Sequence, residues 1–85
     1  MIDNHAQCCF EQFENGARVF ARYRRDPMML VLLHVEAEPV LRGTGAADRL
    51  MREIVQQARD DRTPIRPLCG YAAAWLRRHA PDVIA

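Results

Sequence analysis

The side chains best suited to proton transfer lie near the middle of the chain. His34 and Glu36 are two residues apart and follow the apolar run Met28–Leu33. Alternate residues of a strand project from the same face, so we expect the two side chains to emerge together. A histidine titrates near neutral pH and can take a proton from an amine, and Glu36 can act through water. The alternative for His34 is an interior histidine hydrogen-bonded to the backbone.

Cys69 is a second candidate for chemistry, because it lies where a short strand is expected to end and a helix to begin. The field at a helix N-terminus favours a thiolate, which is a nucleophile. The alternative is a small buried core residue. Cys8 and Cys9 are adjacent on a predicted strand, where they point to opposite faces, and we interpret both as packing residues.

The segment from Arg42 to Ala47, which reads Arg-Gly-Thr-Gly-Ala-Ala, has the composition of an anion-binding loop. Its glycines permit positive φ and a close approach of the backbone to a ligand. The free N–H groups of the helix that follows attract negative charge. Ala46 and Ala47 are too small to block that approach, and Arg42 adds a guanidinium. The alternative is a glycine turn that only leads into a helix. The first turn of a helix without a ligand is expected to carry several acidic residues, and here Asp48 is the only one, which favours a bound anion.

The composition excludes several kinds of chemistry. The chain has no serine and no lysine, and its twelve basic residues are all arginine. Serine-nucleophile hydrolysis, a Walker-type phosphate lysine and lysine Schiff bases are therefore excluded. Three cysteines without a CxxC spacing and three scattered histidines, including His5 and His79, argue against a disulfide framework and a metal site.

Length and charge place the chain among ordinary globular proteins. Its 85 residues, 49% hydrophobic and 27% charged, predict a single domain over 1–85. A net charge of +1 does not indicate binding to nucleic acid. The longest apolar run is far below the ~20 residues of a membrane span, so no membrane association is expected. Three unpaired thiols suit the cytoplasm.

The elements that must position these residues follow from hydrophobic periodicity. Strands are predicted over 8–13, 17–25 and 28–36, with the third buried on both faces. An amphipathic helix is predicted over 46–59, a short strand over 65–68 and a second helix over 71–79. The order β-β-β-α-β-α predicts a mixed α/β sheet, in which an antiparallel meander is joined to one parallel pair by a right-handed crossover.

The sequence resembles the GNAT superfamily of acetyl-CoA-dependent N-acetyltransferases. The loop matches the family signature Q/R-x-x-G-x-G/A, with Arg42, Gly45 and Ala47 at its defining positions. The segments 33–43, 67–71 and 75–79 look like the very short, single-domain members that lack the usual two N-terminal helices. The resemblance implies a GNAT-like α+β fold in which acetyl-CoA lies where two parallel strands splay apart, with its pyrophosphate on the loop.

The resemblance also implies roles for single residues. Cys69 corresponds to the cysteine beside the acetyl thioester in this family, and His34 or Glu36, the candidates from the strand pattern, would then take the proton from the acceptor. The cofactor contacts that it implies are Val35, Arg42, Gly43, Thr44, Gly45, Ala46, Ala47, Tyr71, Arg77 and Arg78. Arg77 and Arg78 would reach the adenosine 3′-phosphate, although they could equally complement the C-terminal dipole of their helix. The sequence departs from the family in having Ala37-Glu38 before the loop proline and Gly70 in place of a serine.

The sequence therefore predicts an N-acetyltransferase that uses acetyl-CoA without a metal and acts on a primary amine of a small molecule or a protein. The alternative is a non-catalytic module on the same fold that senses acyl-CoA or docks to a partner protein. Small size and unprotected strand edges are compatible with a monomer or a homodimer.

Overall fold

The computed structural model describes residues 1–85 as one five-stranded mixed sheet with two helices. The strands are β1 (Ile2–Asn4), β2 (Cys9–Glu14), β3 (Ala17–Asp26), β4 (Met29–Ala37) and β5 (Ile65–Pro67). The helices are α1 (Ala46–Asp61) and α2 (Gly70–His79), and single 3₁₀ turns cover His5–Gln7, Pro39–Leu41 and Pro81–Val83. The strands follow one another in space in chain order.

The pairing confirms the predicted fold class. β1 to β4 form an antiparallel meander, and β4 pairs with β5 in parallel. The connection between β4 and β5 runs through α1, as expected for a crossover between parallel strands. The predicted helix over 46–59 is extended by two residues, to Asp61, where Arg62 adopts a left-handed conformation and its N–H caps the last turn.

Both helices pack on one face of the sheet. The core joins apolar residues of α1 and α2, such as Leu50, Ile54 and Leu76, to the alternate β3 residues Val19 and Ala21. The other parity of β3 takes no part in this cluster, since that face carries Arg18, Phe20, Arg22 and Arg24. We call this second, helix-free side of the sheet the open face.

The prediction that the third strand is buried on both faces is wrong for its second half. Leu30, Val31 and Leu32 are buried, but His34 and Glu36 lie on the open face and are exposed. The apolar run ends at Leu33, and polar residues on that face need no covering layer.

The N-terminal segment also differs from the prediction. Cys8 is not in a strand: it has a left-handed backbone (φ 51°), ends the first 3₁₀ turn and is exposed, whereas Cys9 begins β2 and is buried. β1 was not predicted, because three residues show no clear alternation. It is held by backbone pairing with β2 and by side-chain bonds to Asp3, which accepts from the Tyr23 hydroxyl at 2.5 Å and from Arg25 at 3.2 Å.

Candidate functional site

The loop between β4 and α1 has the backbone geometry of an anion cradle. Gly43 and Gly45 have φ values of 77° and 86°, in the left-handed region that favours glycine. This geometry turns the chain into α1 and leaves the amides of five residues without an acceptor in the protein: Gly43, Gly45, Ala46, Ala47 and Asp48. These free N–H groups stand at the positive end of a sixteen-residue helix, where an anion is favoured.

A cleft of about 290 Å³ opens directly over this loop. The predicted loop residues Arg42, Gly43, Gly45, Ala46 and Ala47 line it, and Ala37, Leu41, Asp48 and Tyr71 complete its wall. Tyr71 comes from the first turn of α2, so the N-termini of both helices meet at one cleft. Thr44 lies in the same loop, but its hydroxyl is turned inward and donates to the Leu41 carbonyl.

The two parallel strands separate beside this cleft. β4 and β5 are in register only from Leu30 to Leu32, and the last bond is donated by the Leu68 amide to the Leu32 carbonyl. β4 continues to Ala37, while the segment that follows β5 turns at Cys69 into α2. Leu33 is an extra residue between the pairs Tyr23–Leu32 and Arg22–His34, which makes it a β-bulge. Because a bulge bends its strand, it accounts for β4 leaving β5 at this point.

Asp48 is the one acidic residue in the cleft wall, and its carboxylate is hydrogen-bonded to side chains outside the loop. Asp48 accepts hydrogen bonds from the Trp75 indole at 2.8 Å and from Arg52 at 2.9 Å. These two bonds hold the pKa of Asp48 below its usual range, so it is ionised at neutral pH. The hydrogen bonds draw the carboxylate toward α2 and Arg52, which offsets its repulsion of an anion over the loop.

Burial raises the pKa of Tyr71, and the neighbouring Asp48 adds to the effect. Its hydroxyl is therefore protonated at neutral pH. A protonated phenol in the cleft wall is a hydrogen-bond donor toward a bound ligand.

His34 and Glu36 share one face, as predicted, with the His34 Nε2 and a Glu36 carboxylate oxygen 3.7 Å apart. Both side chains are about half exposed, so His34 is not an interior histidine. The pair lies on the open face, in the part of β4 that has already separated from β5. Neither side chain lines the cleft over the loop.

The structure does not gather every predicted site residue at this cleft. Val35 is partly buried against the core, on the far side of β4 from His34. Cys69 is partly buried at the N-cap of α2, immediately before Tyr71's turn. Arg77 and Arg78 are exposed in the last turn of α2, at the opposite end of that helix from the cleft. Their predicted role, like that of Cys69, stays a prediction.

One residue near the loop was missed from the sequence. The Arg49 guanidinium packs over Gly45, where a Cβ would lie 3.0 Å from its Nη1. Arg49 is fixed there by Glu14 of β2, with nitrogen–oxygen distances of 2.7 and 3.0 Å. Arg49 does lie one helical turn after Gly45, but the Glu14 contact spans 35 residues and leaves no local signal.

The comparison with protein families decides the class of this protein. Residues 9–83 match the model of a GCN5-related N-acetyltransferase family. The chain belongs to this family. The match spans both strands of the splayed pair, the glycine loop and both helices, so it covers the whole candidate site.

Family membership confirms the resemblance seen in the sequence and indicates acyl transfer as the class of reaction. No curated protein matches the chain. The structure holds no cluster of three or more metal-binding side chains, and neither helix has the length and apolar character of a membrane span.

Proposed function

We propose that this protein binds acetyl-CoA in the cleft over the Arg42–Ala47 loop and transfers the acetyl group to a primary amine. The observation that carries the proposal is the set of five unpaired amides beside the splay of β4 and β5, in a member of an acetyltransferase family. Phosphate oxygens bind such amides at helix N-termini.

The chain's own residues fit the cofactor at both ends of the cleft. The loop amides and Arg42 bind the pyrophosphate, since Arg42 is exposed and has no carboxylate partner. The separated edge of β4 leaves room for an extended chain between the strands. Acetyl-CoA supplies a thioester whose carbonyl carbon forms a bond to the amine nitrogen as the bond to sulfur breaks.

Three side chains accept or donate protons in this proposal: His34, Glu36 and Tyr71. An amine must lose a proton when it becomes an amide, and the His34–Glu36 pair accepts that proton on the open face. Tyr71 is protonated and lines the cleft, so it can donate to the departing thiolate. Cys69, one residue before the first turn of α2, lines the thioester end of the site or forms a transient thioester with the acetyl group.

Calorimetric titration with acetyl-CoA tests the binding step. We expect saturable heat that is lost when free coenzyme A already fills the site. Time-dependent release of CoA that rises with added primary amine tests the transfer step. Saturable binding with no amine-dependent release would instead favour a module that senses acyl-CoA, and no heat at millimolar ligand would overturn the proposal.

The roles of Cys69 and the base can be separated. If a covalent intermediate forms, mass spectrometry after incubation with acetyl-CoA shows an acetyl adduct that disappears in Cys69→Ala, together with most turnover. Unchanged turnover in Cys69→Ala assigns the residue to the pocket wall. For the base, His34→Gln is expected to lower kcat while binding of acetyl-CoA stays intact.

A further inference from the structure

The open face carries a group of three arginines beside the His34–Glu36 pair. Arg24, Val31 and Arg66 stand side by side in register on β3, β4 and β5. In the next row of the same face, Arg22 lies opposite His34. We call Arg22, Arg24 and Arg66 the arginine patch.

Val31 lies at the centre of the arginine patch, between Arg24 and Arg66. Val31 has no exposed surface, although no helix covers this side of the sheet. Its two neighbours in register are arginines, whose aliphatic stems can lie over an apolar side chain while the guanidinium groups reach solvent. Neighbouring strands are about 4.8 Å apart, so the backbones of Arg24 and Arg66 are about 10 Å apart. Both side chains project from the open face, and they are long enough for their guanidinium groups to contact one small group between them.

Most of the positive charge in the patch is not neutralised by the protein. Six of the twelve arginines form ion pairs with carboxylates, and Arg24 is one of them, at 3.0 Å from Asp26. Arg22 and Arg66 form none, and the Arg22 guanidinium lies over the Phe20 ring, 5.8 Å from its centroid. Two further carboxylates lie one row away on this face: Glu36 is 3.7 Å from His34, and Glu11 accepts hydrogen bonds from Arg18 and Asn4.

Because Arg22 is the cross-strand neighbour of His34, the patch borders the place where the acceptor amine must lose its proton. We propose that the arginine patch binds an anionic group, a carboxylate or a phosphate, of the molecule that carries the acceptor amine. This inference rests on the proposed function. It narrows the acceptor to an amine with a negative charge a few atoms away, and it argues against polyamines, which arginines repel.

An NMR titration tests the patch without any acetyl transfer. The side-chain Nε–H signals of the arginines are followed as inorganic phosphate, or separately acetate, is added to the full chain. We expect saturable shifts at Arg22 and Arg66, and affinity weakened about tenfold or more in Arg66→Gln and Arg22→Gln. Arg62→Gln is the control, because Arg62 is also an exposed arginine without an ion pair but lies at the end of α1.

The two anions separate the possible acceptors. Binding of acetate as well as phosphate supports an amine that carries a carboxylate, and binding of phosphate alone supports a phosphorylated amine. Equal shifts at all exposed arginines, or unchanged affinity in Arg66→Gln, would overturn the proposal.

Acetyl transfer provides the second test through matched acceptors. CoA release is measured with β-alanine against β-alaninamide, and with phosphoethanolamine against ethanolamine. We expect kcat/KM about tenfold or more higher for the anionic member of at least one pair, and Arg66→Gln to remove this preference while KM for acetyl-CoA stays unchanged. An active enzyme without preference in either pair contradicts the inference. If no amine releases CoA, the proposed function fails, and the anion titration still decides whether the patch binds anions.

Discussion

At the scale of single residues, the site depends on backbone groups more than on side chains. The free amides of the loop point outward only because Gly43 and Gly45 adopt positive φ. A side chain at Gly45 meets two obstacles, the backbone conformation and the Arg49 guanidinium 3.0 Å away. Arg49 is bonded to Glu14, so a shift of its guanidinium away from a new Cβ would disturb that ion pair.

We therefore expect Gly45→Ala to weaken acetyl-CoA binding about tenfold or more and to lower stability by about 1 kcal/mol. Gly16→Ala is the matched control, since Gly16 also has positive φ (79°) but lies in the β2–β3 turn with open space around it. Gly16→Ala should reduce stability by a similar amount and leave binding intact. Calorimetry and chemical denaturation measure the two effects, and equal loss of affinity in both variants would contradict the loop assignment.

At the scale of elements, the cleft exists because α1 and α2 begin side by side. The Asp48–Trp75 hydrogen bond ties the first turn of α1 to the middle of α2, and Arg52 lies over the indole ring, 5.5 Å from its centroid. A lowered pKa in the folded state means that the ionised carboxylate stabilises the fold. That contribution is present above the ordinary value of 3.8 and is lost as pH falls through the lower, folded value.

Asp48→Asn tests this link, because asparagine keeps an acceptor for the indole but removes the charge. We expect the variant to be less stable than the wild type at pH 7, by up to about 1 kcal/mol because the side chain is partly exposed. The difference should shrink once the pH falls below 3.8. Urea denaturation at several pH values measures it, and a difference independent of pH would assign the loss to packing.

The elements differ in how far they could be predicted, and the reason is the range of the interactions that form them. α1 and β3 carry their own periodicity, so their bounds were predicted within two residues. The glycine loop is local as well. By contrast, β1 depends on its pairing with β2 and on the bond from Tyr23 to Asp3, and the position of Arg49 depends on Glu14. Which face of the sheet stays uncovered depends on how both helices pack against it. This packing is not encoded in any single segment of the sequence.

At the scale of the whole molecule, a buried phenol links the N-terminal strand to the sheet, in addition to the backbone pairing of β1 with β2. Tyr23 is 4% exposed, stacks on Phe10 with ring centroids 4.6 Å apart, and donates to Asp3. Burial and the Asp3 carboxylate raise the pKa of Tyr23 from 10.0 to about 12. Above pH 10 the unfolded chain loses this proton more readily than the folded protein does, so stability falls as the pH rises from 10 to 12.

Ultraviolet titration of Tyr71→Phe isolates Tyr23, because the chain has only two tyrosines. We expect a midpoint near 12 in the folded protein and near 10 in urea. Asp3→Asn should lower the folded midpoint, since it removes the neighbouring charge. An ordinary midpoint in the folded protein would show that β1 does not cover this phenol.

A domain of 85 residues has a small core, so a ligand that binds only the folded state changes its stability measurably. At a ligand concentration of about 100 times Kd the gain is about 2.7 kcal/mol. For a domain of this size each kcal/mol raises Tm by about 4–8 °C, so acetyl-CoA should raise the Tm of the wild type by about 10–20 °C. Gly16→Ala should start from a lower Tm and show the same rise, while Gly45→Ala, with binding about tenfold weaker or more, should show about half that rise or less. Differential scanning calorimetry measures all three, and a wild type whose Tm is unmoved by millimolar acetyl-CoA would show that the cleft over the loop does not hold it.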